Sequence, residues 1–282
     1  MRQQLPNARR FVELSGGTCH YSVEGPATGR TLVLVHGATV PLWQFDRLVP
    51  ILHRRGIRTI RLDLFGHGYS DRPDLAHDAA LFTRQVVELL DRLGVGDGVD
   101  LLGHSLGCAI AARLMLADPG RFNSLIMTAP VLNFLQANPA ARLLRVPLLG
   151  ELLVASYVVP MLVRRRTLRY RNIQDGRFVQ MFRDQLRVPG FGRSLLSLVR
   201  GDALGDQQTH YAALNTLANP VLVMSAAGDQ IAIPAHIDIL RGLLPNAEFC
   251  EIEDAEHALI LTHPEPVAAH IMRLLISPGE MQ

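Results

Sequence analysis

Gly103-His104-Ser105-Leu106-Gly107 is where residue type and spacing first call for chemistry. The pattern G-x-S-x-G stands between a short strand pattern, Val99 to Leu102, and an alanine-rich helix pattern, Leu106 to Leu116. A sharp strand-to-helix turn there lifts the serine hydroxyl above the edge of a sheet, and its glycines keep side chains from colliding where the backbone reverses. The same turn aims the Leu106 N–H at the place where an oxyanion would form, with the positive end of the helix behind it.

A serine hydroxyl is a weak nucleophile near neutral pH and needs a base. Asp229 follows the strand pattern Val221 to Ser225 through Ala226-Ala227-Gly228, and His257 follows Phe249 to Ile252 through an acidic loop. Taken singly, Asp229 reads as a loop carboxylate and His257 as a surface histidine. Together, at strand ends and in the chain order Ser105, Asp229, His257, they read as nucleophile, acid and base, an order distinct from the two common serine-protease classes. The carboxylate would fix the imidazole tautomer without itself taking the proton. A second oxyanion donor is expected from His36-Gly37-Ala38, after the strand pattern Thr31 to Val35; the Ala38 N–H is the first choice and the Thr39 N–H its neighbour.

The elements that must carry these residues alternate. The continuous apolar run Thr31 to Val35 reads as a strand buried on both faces, and Ile57 to Asp63, Val99 to Leu102, Leu125 to Thr128, Val221 to Ser225 and Phe249 to Ile252 read as further strands. Between them, helical spacing predicts helices over Trp43 to Arg54, Ala76 to Leu93, Leu106 to Leu116, Ile237 to Leu244 and Pro264 to Leu275. Such alternation is the pattern of an α/β fold with a mostly parallel sheet covered on both faces. Asp63, followed by Gly66-His67-Gly68-Tyr69-Ser70, reads as a turn organiser, and His36 and His104 as local hydrogen-bonding residues.

From about Val131 to Tyr211 the alternation lapses into helical segments punctuated by Pro139, Pro147, Pro160 and Pro189-Gly190. This predicts a core domain over 1–130 and 213–282, with a helical cap or lid over 131–212 above the carboxyl ends of the strands. Phe134, Leu135, Leu148, Leu152, Tyr157 and Met161 are the expected apolar lining of an acyl pocket; the other reading is that they form the cap's own core. Val146 to Val163 is eighteen residues long with Glu151 as its only charge, which touches the lower bound for a membrane span. Pro147, Gly150, Glu151 and Pro160 interrupt it, so an apolar lid is preferred to membrane-surface contact, and both to spanning.

Composition sets outer bounds. In 282 residues, 48% are hydrophobic, with 17 prolines and 23 glycines, as in a globular chain with many turns. A formal charge of +2 gives no reason to invoke nucleic acid, and Arg164 to Arg166, Arg169 and Arg171 read as a solvated cap surface. Eleven histidines are dispersed without HExxH spacing, and Cys19, Cys108 and Cys250 form no CxxC pair, so neither a metal nor another cofactor is called for. Met1 to Glu13 lacks the apolar run of a secretion signal, and a cytoplasmic protein is the expectation. Oligomeric state is left open.

With His36-Gly37, Asp63-Leu64-Phe65-Gly66-His67-Gly68-Tyr69-Ser70 and Gly103 to Gly107 in order, the chain resembles the α/β-hydrolase superfamily, in particular its capped members. Gly228-Asp229 with Pro234 resembles the family's acid loop, and His257 with Pro264-Glu265 its histidine loop. The resemblance covers Phe11 to Pro130 and Leu217 to Leu275 and leaves the cap poorly matched. It implies an α/β-hydrolase fold and assigns Ser105, Asp229 and His257 the triad roles. Serine at the elbow departs from the aspartate nucleophile of epoxide hydrolases and haloalkane dehalogenases, and the HGA sequence lacks the extra glycines of the HGGG lipase loop. Carboxylic-ester hydrolysis of a small or lipophilic acyl substrate is the expected activity. Thioesterase, lactonase and diketone carbon-carbon hydrolase are alternatives, as is a non-catalytic binding protein on the same fold.

Overall fold

Leu32 and Leu34 turn to one face of a strand and Val33 and Val35 to the other, and all four are fully buried, so this strand must be covered on both sides. It is the third of eight in a computed structural model that describes residues 9–171 and 173–276. Most of the leading segment read above for a signal, residues 1–8, lies outside the described residues.

The strands are β1 (Arg9–Leu14), β2 (Gly17–Glu24), β3 (Arg30–Val35), β4 (Ile57–Leu62), β5 (Val99–His104), β6 (Phe122–Thr128), β7 (Val221–Ala226) and β8 (Glu248–Ile252). They form one sheet in the order β1-β2-β4-β3-β5-β6-β7-β8. Only β1 with β2 and β2 with β4 pair antiparallel; the remaining pairs are parallel. The carboxyl ends of β3, β5, β7 and β8 therefore share one edge, and the loops after them meet there.

The connecting helices are α1 (Val49–His53), α2 (Ala79–Arg92) and α3 (Leu106–Ala117) before β6. Between β6 and β7 come α4 (Phe134–Ala137), α5 (Leu149–Leu153), α6 (Val159–Tyr170), α7 (Arg177–Leu186), α8 (Phe191–Arg200) and α9 (Gln208–Ala213). The chain closes with α10 (Pro234–Leu243), α11 (Leu259–Thr262) and α12 (Pro264–Leu275). Apolar residues of α2, α3 and α10 pack on the Val33 face, and those of α1 and α12 on the Leu32 face.

Two expectations change at the amino-terminal side. The helix predicted over Trp43 to Arg54 is a single 3₁₀ turn at Leu42–Phe45 followed by the short α1. Pro50 has no N–H to give and is tolerated only in a first turn, so the helix starts beside it. Strands β1 and β2 went unread because β2 buries His20 and Ser22 alongside Cys19 and Tyr21, which hides any apolar alternation. The start of α2 is set by Asp78, whose carboxylate accepts from the Leu81 N–H at 2.8 Å.

Asp63, just past β4, organises its turn as expected. It accepts from the Leu42 and Tyr69 amides at 2.9 Å each and faces His20 Nδ1 at 2.6 Å. Gly68 is required here, since a Cβ on it would stand 2.0 Å from an Asp63 oxygen.

The β6–β7 insertion sits on the carboxyl edge of the sheet. Trp43 meets Phe178 edge-on at 4.7 Å between ring centroids, within a cluster that includes Leu42, Tyr170, Phe182 and Leu261. Gln185 Nε2 donates to the Thr39 carbonyl at 2.8 Å. The apolar run Val146 to Val163 becomes α5, a wide π turn over Val154–Val158 and the start of α6. Pro160 cannot bond the carbonyl four residues back, and the wide turn absorbs that loss. Among the described residues no helix is long and apolar enough to cross a membrane.

Candidate active site

Ser105 stands at φ 53°, ψ −113°, between the last residue of β5 and the first of α3. A positive φ is rare for a residue with a Cβ and persists only where its surroundings fix it. They do so here. A Cβ on Gly103 would lie 2.4 Å from the Gly107 carbonyl oxygen, and one on Gly107 only 2.1 Å from that of Val35. The Ser105 N–H donates to Thr128 O at 2.9 Å, and the Thr128 hydroxyl donates to Gly103 O at 3.0 Å, which ties the turn to β6. Cys108 packs under it, and burial pushes its thiol well above the ordinary cysteine range.

The acid and base arrive from the same edge. His257 Nε2 is 3.1 Å from Ser105 Oγ, and His257 Nδ1 is 2.8 Å from Asp229 Oδ2. The other carboxylate oxygen of Asp229 accepts from the Ile231 and Ala232 amides at 2.8 and 2.9 Å. Burial opposes ionisation of Asp229, but the bond to His257 and these two amides outweigh it and hold the carboxyl below its usual value. Gly228 lets the acid loop approach the histidine loop: its N–H donates to Ala255 O at 3.2 Å, and a Cβ there would come within 2.9 Å of that oxygen. The His104 ring lies 5.2 Å from the His257 ring. Burial, and then the neighbouring His257, push His104 well below the ordinary histidine range, so it brings no charge to the site. A hydroxyl bonded to a ring nitrogen whose other nitrogen faces a carboxylate can pass its proton to the ring.

The loop after β3 is pinned on several sides. His36 Nε2 accepts from the Leu64 amide at 2.9 Å, and His67 Nε2 lies 2.8 Å from Ala38 O. Burial brings the His67 ring down to about 3, so the neutral ring has one N–H for two facing carbonyls, Ala38 O at Nε2 and Phe65 O at 3.1 Å from Nδ1. Gly37 lies against the elbow; a Cβ on it would meet the Ser105 Cβ and His104 O at 3.4 Å. Among the described residues no protein acceptor takes the Ala38 N–H, and the first amides of a helix, Leu106 here, have no partner within it.

A family model described as alpha/beta hydrolase fold matches residues 30–264. The chain belongs to the alpha/beta-hydrolase family. It is 27% identical over 284 residues to the non-heme chloroperoxidase of Streptomyces lividans, covering 90% of this chain and 95% of that protein. It is also 27% identical over 229 residues to a 2-hydroxymuconate semialdehyde hydrolase of Pseudomonas putida, covering 77% and 76%. Among solved structures, Cfl2 from Burkholderia cenocepacia superposes with a TM-score of 0.80 at 22% identity, over 93% of this chain and 94% of that one. That last likeness is one of fold.

In this alpha/beta hydrolase a cavity of about 200 Å³ opens beside Ser105 and His257. The loop Gly37 to Val40 forms part of its wall, and the β6–β7 insertion supplies an apolar side. Of the residues expected there, Phe134 and Met161 line it. Leu135 does not: it packs against the main core. Leu148, Leu152 and Tyr157 face solvent, at 84%, 63% and 63% exposure. The cause is helix phase, because Val158, Met161 and Leu162 share the inward stripe and Tyr157 falls outside it. Leu148, at φ 64°, precedes α5 and never enters the helical face. Sequence reasoning also missed Leu195 and Val199, whose i, i+4 spacing on α8 was the available signal.

Arg166 lines the cavity too, while Arg164, Arg165 and Arg171 are exposed as expected; the Arg169 side chain lies outside what is described. Cys19, Cys108 and Cys250 are all free. No group of three or more His, Cys, Asp or Glu that could hold a metal ion occurs among the described residues.

Proposed function

We propose that this chain is a serine hydrolase that cleaves carboxylic esters through an acyl-enzyme, with Ser105 as nucleophile, His257 as base and Asp229 orienting that base. One observation carries the reading: the unbroken line from Ser105 Oγ through the His257 ring to the Asp229 carboxylate, at 3.1 and 2.8 Å. His257 Nε2 takes the Ser105 proton as Oγ bonds to the substrate carbonyl carbon. The Leu106 and Ala38 amides stabilise the oxyanion, each contributing about 3 kcal/mol to the transition state. His257 then protonates the departing alkoxide, the carbonyl re-forms, and water deprotonated by His257 attacks the acyl-enzyme to release the acid and free Ser105. The helices of 131–212 act as a cap that excludes bulk water from this sequence.

The cavity supports a small acyl group. An engineered cavity of about 150 Å³ admits benzene, so about 200 Å³ suits a moiety of roughly six to eight heavy atoms. Long chains would require the cap to move.

The test is labelling by a fluorophosphonate, which bonds to an activated serine. Stoichiometric labelling of the native protein, abolished in Ser105→Ala, is expected; a folded protein that takes up no label contradicts the reading and favours a non-catalytic role. The likeness to a 2-hydroxymuconate semialdehyde hydrolase over 77% of the chain favours, as a second reading, carbon-carbon hydrolysis with the same triad. Turnover of a vinylogous 1,5-diketone in preference to every ester, thioester and lactone tried would select it.

A further inference from the structure

The cavity beside Ser105 does not end blindly. Leu162, Arg166 and Ile231 line both this cavity and an outer groove that continues past Arg165, Leu168 and Gln230. These three side chains form the neck between the cavity and the outer groove. Among the described residues no aspartate or glutamate lines the cavity or the groove. Among those residues, positive charge at this mouth is unopposed.

Arg166 is held in place by neutral groups. It donates to Thr39 Oγ1 at 2.9 Å and to the Tyr170 hydroxyl at 3.1 Å, and its guanidinium lies 5.4 Å from the Tyr170 ring centroid and 6.0 Å from that of Phe182. Among the described residues no carboxylate comes within 4.0 Å of it. A guanidinium has five N–H donors in a rigid fork suited to a carboxylate, and two of these protein bonds leave most of the fork available. A half-buried cation without an anion is costly unless something offsets it. Its field also reaches the elbow, where Arg166 is one of the charges that depress His104.

A plain strut from α6 to the loop after β3 would account for the bonds to Thr39 and Tyr170. It would not need a charge, nor a cavity wall free of acids. We propose that Arg166 binds a carboxylate on the substrate at this neck, so that the preferred substrates are esters bearing one carboxylate and otherwise apolar. This rests on the ester-hydrolase reading above and names its substrate class.

The test compares kcat/KM for wild type, Arg166→Met and Arg166→Lys on three chromogenic esters. These are p-nitrophenyl butyrate, mono-p-nitrophenyl glutarate with its carboxylate on the acyl side, and 3-carboxy-4-nitrophenyl butyrate with its carboxylate on the leaving side. Wild type should favour at least one charged ester over the neutral one by about tenfold or more. Arg166→Met should lower the ratio of charged- to neutral-ester kcat/KM by about 10- to 100-fold, as for loss of a charge-assisted hydrogen bond. Arg166→Lys should keep part of the preference. Equal loss on all three esters identifies a strut and overturns the inference, and so does a wild type without charge preference, whatever the variants do. Fluorophosphonate labelling of Ser105 in the same preparations separates the two levels. Intact labelling without charge preference removes only the carboxylate site, whereas absent labelling in wild type removes the ester-hydrolase reading with it.

Discussion

Replacing Asp229 by Asn changes one atom and should disable His257 without unfolding the protein. The Ile231 and Ala232 amides both point at Oδ1, so the single oxygen of asparagine must stay there. Turning the amide around would set its NH₂ against two N–H donors and leave each unsatisfied, at about 1–3 kcal/mol apiece. The asparagine NH₂ then faces His257 Nδ1, which must accept instead of donate. That moves the ring proton to Nε2, against Ser105 Oγ, where a free lone pair is needed. The equivalent exchange in a serine-protease triad lowers kcat by about 10⁴-fold, equal to about 5 kcal/mol of transition-state stabilisation. The assay is kcat on the best ester, with melting temperature and near-UV circular dichroism recorded beside it. A folded Asp229→Asn protein within about tenfold of wild-type kcat would refute the orienting role.

The elbow makes a steric prediction: Gly107→Ala drives a Cβ to 2.1 Å from Val35 O, and because both partners are backbone the variant should lose about 1–3 kcal/mol in chemical denaturation, with activity falling too. An unchanged denaturation midpoint would mean that the turn is looser than described. Asp63 makes a pH prediction. Burial opposes its ionisation, yet His20 and the Tyr69 amide hold the carboxyl down at about 2 against an ordinary 3.8. Its folded value lies below its unfolded one, so the stabilisation, about 2 kcal/mol, is complete above the unfolded value and disappears as pH falls from 3.8 towards 2. Asp63→Asn should therefore be less stable at pH 6 and show a shallower acid limb; an acid limb parallel to wild type would contradict this. Finally, burial raises the Cys19 thiol to about 12 and the Cys250 thiol to about 11, and raises Cys108 as well. Ellman's reagent at pH 8 should react slowly with native protein and quickly with all three thiols after unfolding, and fast loss of activity through Cys108 would contradict the packing described.

Strands β3, β5 and β7 were legible because each is buried on both faces and leads into a glycine-bearing turn, whereas β8 is an edge strand with Glu248 and Glu251 exposed. Val99–His104 and Val221–Ala226 extend the predicted runs by one or two residues. Helix α12 was legible to the residue, since Pro264 starts it and its apolar stripe is regular. The insertion was not, because composition cannot tell which side of α5 and α6 turns inward. Leu148 and Leu152 are as apolar as Val158 and Leu162, yet only the latter pair reaches the cavity. Arg165 and Arg166 are alike in type, and one step of about 100° around the helix places the first in solvent and the second at the cavity neck. The contact between Gly228 and Ala255, which aligns acid with base, joins residues from two loops and leaves no local trace in the chain.

Quenching the protein in acid within milliseconds of mixing with a p-nitrophenyl acyl ester, followed by mass spectrometry of its peptides, tests the covalent route most directly. A burst of nitrophenol near one equivalent per chain is expected, with an acyl group on the peptide that contains Ser105. Full turnover with no acyl adduct, retained in Ser105→Ala, would contradict that route.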